Sequence, residues 1–460
     1  MPIQKKIEKQ IASFRDSSGF LFWRNGVLYR QINKVFAGNY ELLMRSGLYK
    51  ELTGRGLLIP HSEVKIGSLN PEAHKVIKPE RVPFISYPYE WCFSELKDAA
   101  ILTLEIQKIA MEFGMSLRDA SVYNIQFHNG RPILIDTLSF EKYKEGKPWV
   151  AYRQFCQHFL APLALMSFRD LRLNQLLRIY IDGIPLDLAS KLLPVMTNFK
   201  AGLFFHLHLH AKSQKRFAGR KVESSGRKLK KSALLGLLES LGDAVKSLKI
   251  KFDDTDWANY YEITNYSDAA MRHKKELVSE FLAKVNPKSV WDLGANDGLF
   301  SRLASNKGIF TLAFDIDPVA VEKNYLQVVA GEEKNILPLT LDLINPSSAM
   351  GWANEERMSF IERGPADLVM ALALVHHLAI SNNLPFLKIA SFFSRIGKFL
   401  IIEFIPKEDS QVKKLLLNRA DIFSNYSQKE FESEFSEFFV IKERRDIKDS
   451  KRIMYLMARK

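Results

Sequence analysis

An apolar strand that ends in an acid and runs directly into a glycine-containing turn constrains this chain more than any other feature. Residues 289–299 read Ser-Val-Trp-Asp-Leu-Gly-Ala-Asn-Asp-Gly-Leu. Gly294 and Gly298 are spaced G-x-x-x-G, whereas a dinucleotide turn needs G-x-G-x-x-G and places a pyrophosphate on the next helix. Asp292 and Asp297 would repel a diphosphate. The turn therefore favours S-adenosylmethionine, which has no phosphate and carries a sulfonium and an ammonium.

Length and composition place the chain among two-domain globular proteins. At 460 residues it is too long for one ordinary hydrophobic core, and its hydrophobic fraction of 47% is that of a globular protein. Residues 1–10 lack the apolar centre of a signal peptide, and no apolar run reaches the length of a membrane span. We therefore expect a cytoplasmic protein without a membrane span. Cys92 and Cys156 lie far apart and indicate neither a disulfide framework nor a cysteine metal site.

The net charge of +14 is concentrated in the first half of the chain. Residues 251–460 hold 28 Lys and Arg against 30 Asp and Glu, whereas residues 1–250 hold 38 against 22. Nine basic residues lie within 212–231, beside the single acid Glu223. Because this stretch is also rich in Gly and Ser, we predict a solvated basic linker over 211–250, in preference to a phosphate-binding patch. The balanced charge of the second half argues against a nucleic-acid partner.

Short apolar runs alternate with helical patterns over the second half of the chain. A predicted helix over 271–284 leads to the strand at Val290. Further strands are predicted at 309–314, 337–341, 366–371, 399–405, 438–441 and 453–457. Helical segments separate the first five strands, and only a charged turn joins the last two, which predicts an antiparallel hairpin. This alternation indicates an α/β fold with a mostly parallel sheet, whose ligands lie at the carboxyl ends of the strands.

The segment Asp292-Leu-Gly-Ala-Asn-Asp-Gly298 is similar to the D-x-G-x-G-x-G turn of class I S-adenosylmethionine-dependent methyltransferases, and the seven strands with a terminal hairpin resemble the same family. Asn296 stands in place of the middle glycine, and Asn tolerates a left-handed backbone. The resemblance implies a Rossmann-like domain in which Gly294 lets the backbone approach the methionine end of the cofactor and Asp292 neutralises its ammonium. Asn296 or Asp297 could also cap the following helix.

Two further acids follow neighbouring strands and complete the predicted cofactor set. Asp315 ends the second strand, where one carboxylate can accept hydrogen bonds from both ribose hydroxyls. Asp317 is the alternative for that role, or the residue that begins the next helix. By resemblance, Asp342 after the third strand accepts from the adenine amino group. An Asp before a loop is common, so a structural role for Asp342 stays open.

The loop after the fourth strand carries His376 and His377, at the edge that faces the methyl group and the acceptor in methyltransferases of this class. Methyl transfer from a sulfonium depends mostly on alignment and desolvation, and a base is needed only if the acceptor must lose a proton. Imidazole titrates near neutrality, so either histidine could be that base, or both could be structural. Glu403, at the end of the fifth strand, is a further candidate.

The first half contains one segment with the pattern of a catalytic loop. Asp119 and Asn124 have D-x-x-x-x-N spacing, an Asn-Gly turn follows at Asn129, and Asp136 ends an apolar strand. Residues 20–31 predict a hairpin, 40–53 a helix and 84–89 a strand that leads to a hinge. This order resembles a protein kinase or small-molecule phosphotransferase over about residues 14–210, and it implies Asp119 as base with Asn124 and Asp136 holding magnesium for ATP.

The kinase pattern is incomplete, and a second metal motif is weak. Arg30 or nothing stands where the phosphate-pairing lysine belongs, the glycine-rich loop is reduced to residues 17–19, and Leu117 departs from the catalytic-loop motif. A degenerate lobe is therefore favoured over an active kinase, and chance spacing in an unrelated domain remains an alternative. His206, His208 and His210 alternate and would share one face of a strand, but a helix would scatter them, so we predict no metal site.

The sequence thus predicts an α+β, kinase-like domain over residues 1–210, a basic linker over 211–250 and a methyltransferase domain over 251–460. The predicted function is methyl transfer from S-adenosylmethionine to an oxygen or nitrogen atom of a small molecule or glycan. The alternatives are a bifunctional phosphotransferase and methyltransferase, and a noncatalytic scaffold that binds S-adenosylmethionine. The pattern names neither the acceptor nor the oligomeric state.

Overall fold

The computed structural model describes residues 7–9, 13–66, 70–212, 230–250, 266–417 and 421–460. The chain forms two compact units. The first consists of Met1–Lys251 with Met350–Arg357, and the second of Phe252–Ala349 with Met358–Lys460. Among the helices in the described ranges, none has both the length and the apolar character needed to cross a bilayer.

The N-terminal unit begins with a five-stranded antiparallel sheet. Its strands are β1 (Ile7–Lys9), β2 (Gly19–Arg24), β3 (Val27–Asn33), β4 (His61–Glu63) and β5 (Ala73–Pro79), in the order β1-β2-β3-β5-β4. The hairpin predicted over 20–31 is confirmed, since Asn25 and Gly26 join β2 to β3 with positive φ angles of 53° and 73°. The helix predicted over 40–53 is two helices, Ala37–Arg45 and Leu48–Gly54, because the chain turns at Gly47 with φ 89°.

A mainly helical region follows the sheet and carries four short strands that pair two by two. The predicted strand over 84–89 is wrong. Its last part is the 3-10 helix Pro88–Glu90, and the buried Ser86 N–H donates to the Gln126 side chain at 2.9 Å instead of to a strand. Proline at 83 and 88 removes backbone donors that a strand would need. The strands of this region are β6 (Met115–Leu117), β7 (Ile125–His128), β8 (Arg131–Leu134) and β9 (Phe140–Lys142), paired as β6-β9 and β7-β8.

The helices of the region surround a buried core. The longest is Phe93–Glu112, whose Cys92 and Glu95 form a capping box. The others are Tyr152–Phe155, Cys156–Leu160, Ala161–Phe168, Leu171–Gln175, Leu176–Ile179, Leu186–Leu192, Val195–Phe199, Ala201–Leu203 and Phe204–Leu209. A five-stranded sheet with inserted helices, followed by a helical region that holds the β7-β8 hairpin, is the α+β, kinase-like arrangement expected from the sequence.

The predicted basic linker over 211–250 is corrected for part of its length. Lys231–Ser247 is a helix of the N-terminal unit and packs against Phe93–Glu112. Its buried residues are Leu234, Leu238, Leu241, Ala244 and Val245, spaced as one helical face. The prediction of a linker rested on the basic residues and did not take these regularly spaced apolar residues into account. Residues 213–229 of the predicted linker, and 251–265 at the start of the predicted methyltransferase domain, lie outside the described residues.

The C-terminal unit is built on a seven-stranded sheet. Its strands are β10 (Ser289–Leu293), β11 (Phe310–Asp315), β12 (Ile336–Thr340), β13 (Ala366–Ala371), β14 (Gly397–Phe404), β15 (Phe439–Asp446) and β16 (Ile453–Arg459). Their order is β12-β11-β10-β13-β14-β16-β15, and β16 is antiparallel to both of its neighbours. All seven predicted strands and the terminal hairpin are confirmed. This order, with its antiparallel seventh strand inserted beside the fifth, is the class I methyltransferase fold.

Helices cover the sheet, and their sequences explain where they begin and end. The first is Asp268–Val285, where Ser267 caps the start by accepting from the Ala270 N–H and Asn286 ends it in a left-handed conformation. Its buried face includes Leu277 and Phe281. The remaining helices of this unit are Ser301–Ser305, Pro318–Ala330, His377–Ser381, Phe386–Ile396, Ser410–Leu416 and Gln428–Ser436, and the 3-10 helix Trp352–Asn354 belongs to the N-terminal unit. Because β10 to β14 are parallel, their carboxyl ends share one edge of the sheet, where the predicted cofactor residues lie.

Candidate functional site

A cavity of about 360 Å³ lies at the carboxyl edge of the parallel strands in the C-terminal unit. Loops after β10, β11, β12 and β13 contribute to its wall, as the resemblance to methyltransferases implied. Of the predicted cofactor residues, five line this cavity: Asp292, Gly294, Asn296, Asp315 and Asp342. Its volume falls within the range of about 300–1,000 Å³ that is usual for small-molecule sites.

Asp292 is a buried carboxylate at the end of β10. Only 1% of the residue is exposed, and its Oδ2 accepts a hydrogen bond of 2.6 Å from the Ser301 hydroxyl. Burial raises the pKa of Asp292 to about 7, although the Ser301 hydrogen bond and the charge of Lys274 act in the opposite direction. The protein therefore compensates the negative charge of Asp292 only in part, and a bound cation would supply the missing positive charge.

The turn after β10 has the backbone that its sequence predicts. Asn296 has φ 51° and Gly294 has φ 76°, so Asn296 does adopt the left-handed conformation of the missing glycine. The Asn296 N–H donates to Asp315 Oδ2 at 2.7 Å, which ties the turn to the end of β11. Gly298 behaves differently. It is not among the cavity-lining residues, and a Cβ there would lie 2.6 Å from the Asn324 side chain, so its requirement for glycine comes from packing.

Asp315 is held rigidly at the end of β11. Its two carboxylate oxygens accept from the backbone N–H groups of Asn296 and Asp317, and each oxygen keeps a second lone pair for a ligand. Burial raises the pKa of Asp315 to about 6, against the effect of these hydrogen bonds. Asp317, the alternative ribose acid, caps the helix Pro318–Ala330 by accepting from the Val319 N–H at 2.9 Å, and it does not line the cavity.

The two histidines after β13 occupy different environments. Their ring centroids are 4.1 Å apart, but only His377 lines the cavity. Burial lowers the pKa of His377 to about 4, so its imidazole is neutral at pH 7 and can accept a proton. His376 is 1% exposed, burial lowers its pKa well below the usual value, and its Nδ1 has no hydrogen-bond partner among the described residues.

Glu403 lies behind the cavity wall in a network of charged groups. Its Oε2 accepts from the Ala373 N–H at 2.8 Å and lies 2.8 Å from Lys274 Nζ, while Oε1 accepts from the Tyr266 hydroxyl. Burial alone would raise the pKa of Glu403, but the charges of Lys274 and Arg452 hold it below its usual value. Because Glu403 is ionised, paired and absent from the lining, it is placed to orient its neighbours and not to contact an acceptor.

Three members of this network were not predicted from the sequence. Tyr266 and Lys274 line the cavity, and Lys274 Nζ donates to the Tyr266 hydroxyl at 3.0 Å. Arg452 is buried, with its guanidinium 4.2 Å from the centre of the Tyr266 ring and its Nε 2.8 Å from Asp409 Oδ2. Lys274 lies on a helix whose sequence contains no functional motif, and the residues around Arg452, just before β16, form no motif either. The only sequence signal was a lysine amid the apolar face of the helix.

The kinase-like residues of the N-terminal unit come together, but with a changed charge balance. Ser139 Oγ donates to Asp136 Oδ2 at 2.7 Å and accepts from Asn124 Nδ2 at 3.2 Å, so these three residues form one cluster. Asp119 lies on the neighbouring loop, where its Oδ1 accepts from Gln154 Nε2 at 2.8 Å. Arg30, on β3, forms an ion pair with Asp136.

This ion pair bears on whether magnesium and ATP fit the cluster. Burial raises the pKa of Asp136, yet Arg30, followed by the hydrogen bonds from Ser139 and Leu138, lowers it below the usual value. Arg30 thus supplies the positive charge that a metal ion would supply, and it occupies an oxygen that a metal ion would need. Arg30 also lies 3.2 Å from Asp16. The residues present do not fit a magnesium nucleotide.

The three alternating histidines lie on a helix, so their spacing does not place them on one face as it would on a strand. They lie on Phe204–Leu209 and its continuation, where the chain forms a π-helix. His206 Nδ1 and Nε2 contact the Tyr152 and Ser240 hydroxyls at 2.9 Å each, whereas His208 lies within 2.9 Å of the Ser190 and Thr197 hydroxyls. No cluster of three metal-ligating side chains occurs in the described ranges.

Comparison with known proteins gives the family. The chain is 35% identical over 461 residues to the nodulation protein NoeA of Rhizobium meliloti strain 1021, and the match covers 97% of this chain and 95% of that relative. The chain belongs to the NoeA family. No protein-family model matches it.

Solved structures with a similar fold are distant from the NoeA-like chain. Magnesium protoporphyrin IX methyltransferase of Synechocystis PCC 6803 is 17% identical, with 42% of this chain and 84% of that chain covered and a TM-score of 0.31. The N-methyltransferase NodS of Bradyrhizobium japonicum WM9 is 11% identical, with 42% and 98% covered and a TM-score of 0.31. The bifunctional kinase-methyltransferase WbdD is 17% identical, with 42% and 40% covered and a TM-score of 0.29. The chain therefore spans less than half of WbdD, and the fold assignment rests on strand order.

Proposed function

We propose that the C-terminal unit transfers a methyl group from S-adenosylmethionine to an oxygen or nitrogen atom of a small molecule or glycan. The observation that carries this proposal is the placement of Asp292, Asp315 and Asp342 around one cavity, each at or just after the end of a consecutive parallel strand. Three acids without a phosphate-binding turn suit a cofactor with a cationic end, a ribose and an adenine.

Asp292 is assigned to the ammonium of the cofactor. The nearest lysine, Lys274, is paired with Glu403, and Arg452 is paired with Asp409, so the cations of the network are balanced by acids other than Asp292. Burial raises the pKa of Asp292, and the charge of Lys274 offsets this rise only in part. An ammonium brought next to this carboxylate restores its charge, which makes the site selective for a cation.

Asp315 is assigned to the ribose and Asp342 to the adenine. The backbone N–H groups of Asn296 and Asp317 fix the carboxylate plane of Asp315, so its remaining lone pairs have set directions for two hydroxyl donors. Asp342 Oδ1 accepts from the Ile344 N–H at 2.9 Å, which holds this acid at the cavity rim. Ile344 also lines the cavity and offers an apolar contact to a planar base.

The acceptor side of the cavity supplies a proton acceptor and a polar wall. The sulfonium of a bound cofactor supplies an activated methyl group, and the chain then has to align the acceptor and exclude water. His377 is neutral at pH 7 and lines the cavity beside Ser381 and Asn382. We assign to His377 the removal of a proton from an acceptor hydroxyl or amine, with His376 and Glu403 as supports behind the wall.

Transfer of a labelled methyl group tests this proposal. The full-length protein is incubated with methyl-labelled S-adenosylmethionine and fractionated extract, and His377→Gln is compared with Asp367→Ala, which changes an acid at the start of β13, away from the carboxyl edge. We expect a labelled small-molecule or glycan product, about a 100-fold slower turnover for His377→Gln, and no change for Asp367→Ala. Cofactor binding without any labelled product would instead favour a noncatalytic scaffold.

A further inference from the structure

Residues 201–212 form a helix that exposes apolar side chains in addition to burying Leu203, Leu207 and Ala211. Its exposed positions are Ala201, Phe205, Leu209 and Lys212, at the spacing of one helical stripe. Its polar His206 and His208 are buried and bound to the rest of the unit. An ordinary surface helix turns its apolar face inward, so an outward apolar stripe calls for an external contact.

A short 3-10 helix just before it extends this apolar surface. Within Val195–Phe199, the exposed fractions are 77% for Val195, 59% for Met196 and 88% for Phe199. Thr197 faces the other way and is buried, and its hydroxyl lies 2.9 Å from His208 Nε2. This contact joins the two helices, and their exposed apolar side chains lie on either side of the buried Thr197–His208 pair. We call Val195, Met196, Phe199, Phe205 and Leu209 the apolar stripe.

Positive charges border the apolar stripe. Residues 186–212 include three exposed lysines, Lys191, Lys200 and Lys212, against the single acid Asp187. The exposed Arg169 also lies here, since its Nε donates to the Leu192 carbonyl at 2.6 Å. Exposed Phe and Met side chains bordered by lysines are the composition of a surface that inserts between anionic lipid headgroups.

We propose that the apolar stripe docks the protein on the surface of an anionic membrane. Phe199 and Phe205 would enter the boundary between headgroups and acyl chains, while Lys191, Lys200 and Lys212 would contact the headgroups. A second copy of this chain fits less well, because a symmetric contact places the same lysines opposite each other. The proposal does not depend on the methyltransferase activity.

Vesicle sedimentation of the full-length protein tests the proposal. We expect the protein to partition onto vesicles of phosphatidylcholine with about 30% phosphatidylglycerol, to stay in solution with phosphatidylcholine alone, and to be released by added salt. The double variant Phe199→Ser and Phe205→Ser should lower the partition constant at least about tenfold. Lys200→Glu should also lower it.

The matched control is Val35→Ser, which removes a side chain from another 3-10 helix of the same unit where Val35 is 74% exposed. This variant should bind anionic vesicles as the wild type does. Equal binding by the double variant, or no binding of the wild type to anionic vesicles, would overturn the proposal. Light scattering tests whether a second copy of the chain covers the apolar stripe instead. A wild-type dimer that dissociates in the double variant, together with no binding of the wild type to vesicles, would assign the apolar stripe to a second copy.

Discussion

Asp292 is the residue whose chemistry most directly links the sequence to a cationic ligand. The sequence places this acid at the end of an apolar strand. The structure shows that Asp292 is buried and accepts a short hydrogen bond from Ser301. A carboxyl group in that position is costly to ionise unless a cation accompanies it. Cofactor binding and ionisation of Asp292 are therefore linked.

This linkage predicts the pH dependence of cofactor binding. Burial raises the pKa of Asp292 to about 7 and that of Asp315 to about 6, so both groups gain protons as the pH falls through those values. Because the ammonium binds the ionised form of Asp292, affinity should fall by up to about tenfold per pH unit below 7.

Calorimetry in buffers of different ionisation enthalpy measures this effect through proton release on binding. The protein should release close to one proton near pH 6 and fewer as the pH rises through 7. An affinity for S-adenosylmethionine that stays constant between pH 5.5 and 8.5 would contradict the assignment of Asp292.

For single residues, the sequence predicted backbone conformation better than it predicted functional roles. Asn296 was expected to take the left-handed conformation of a glycine, and it does so because few other side chains tolerate positive φ. The glycine motif also predicts Gly298 as a cofactor residue, but Gly298 does not line the cavity, and a Cβ at that position would lie 2.6 Å from the Asn324 side chain. Close packing between residues distant in sequence leaves no mark on the motif, so the motif alone does not separate a packing glycine from a binding glycine.

At the scale of elements, the helix Asp268–Val285 does more than cover the sheet. It carries the buried Lys274 to within 2.8 Å of Glu403 at the end of β14, and both side chains are almost fully buried. Nearby, Arg452, the residue before β16, lies 3.6 Å from Glu403. A buried acid with two cations is stable only as a complete set, because removal of one partner leaves an uncompensated charge.

Replacement of Lys274 by Met tests this dependence. We expect Lys274→Met to lower the stability of the C-terminal unit by about 2–4 kcal/mol, a fall of roughly 5–15 °C in its unfolding temperature. The matched control is Lys284→Met on the same helix, where the exposed Lys284 pairs with Glu280 and Glu443 and should contribute less than about 1 kcal/mol. Differential scanning calorimetry of both variants measures the difference, and equal effects would contradict a buried network.

The sequence predicted elements well where periodicity was strong and poorly where a tertiary contact decided. All seven strands of the second sheet were found, because alternating apolar runs and helices leave few other folds. The helix Lys231–Ser247 was missed because its basic neighbours dominated the composition, although its leucines repeat with helical spacing. Lys274 and Arg452, which both form ion pairs with Glu403, were missed because they are 178 positions apart in the numbering.

At the scale of the whole molecule, the chain combines a methyltransferase fold with a kinase-like unit in which the acid expected to hold magnesium is paired with a basic side chain. Arg30 pairs with Asp136, the residue that would hold magnesium, and the same arginine reaches Asp16. Arg118 lies 3.4 Å from Asp16 as well. Two arginines and two acids balance one another without a metal ion.

We expect this unit neither to bind ATP in a magnesium-dependent way nor to transfer phosphate. Thermal unfolding should be unchanged by ATP with magnesium, and Asp136→Ala should lower the stability of the N-terminal unit by about 1–3 kcal/mol because it removes one of the two acids that pair with Arg30. Lys75→Ala is the control, since the exposed Lys75 and Glu63 form a surface pair in the same unit. Magnesium-dependent ATP turnover that disappears in Asp136→Ala would instead establish a bifunctional enzyme.

The central claim is that the cavity of the C-terminal unit binds S-adenosylmethionine, and titration calorimetry of the full-length protein tests it most directly. Asp315→Ala removes the carboxylate assigned to the ribose, and Asp367→Ala removes a partly exposed acid at the amino end of β13, away from the cavity edge. We predict binding by the wild type and by Asp367→Ala, and an affinity about tenfold to a hundredfold weaker for an Asp315→Ala protein that still unfolds cooperatively. Absence of binding by the wild type, or unaltered affinity of Asp315→Ala, would contradict the claim.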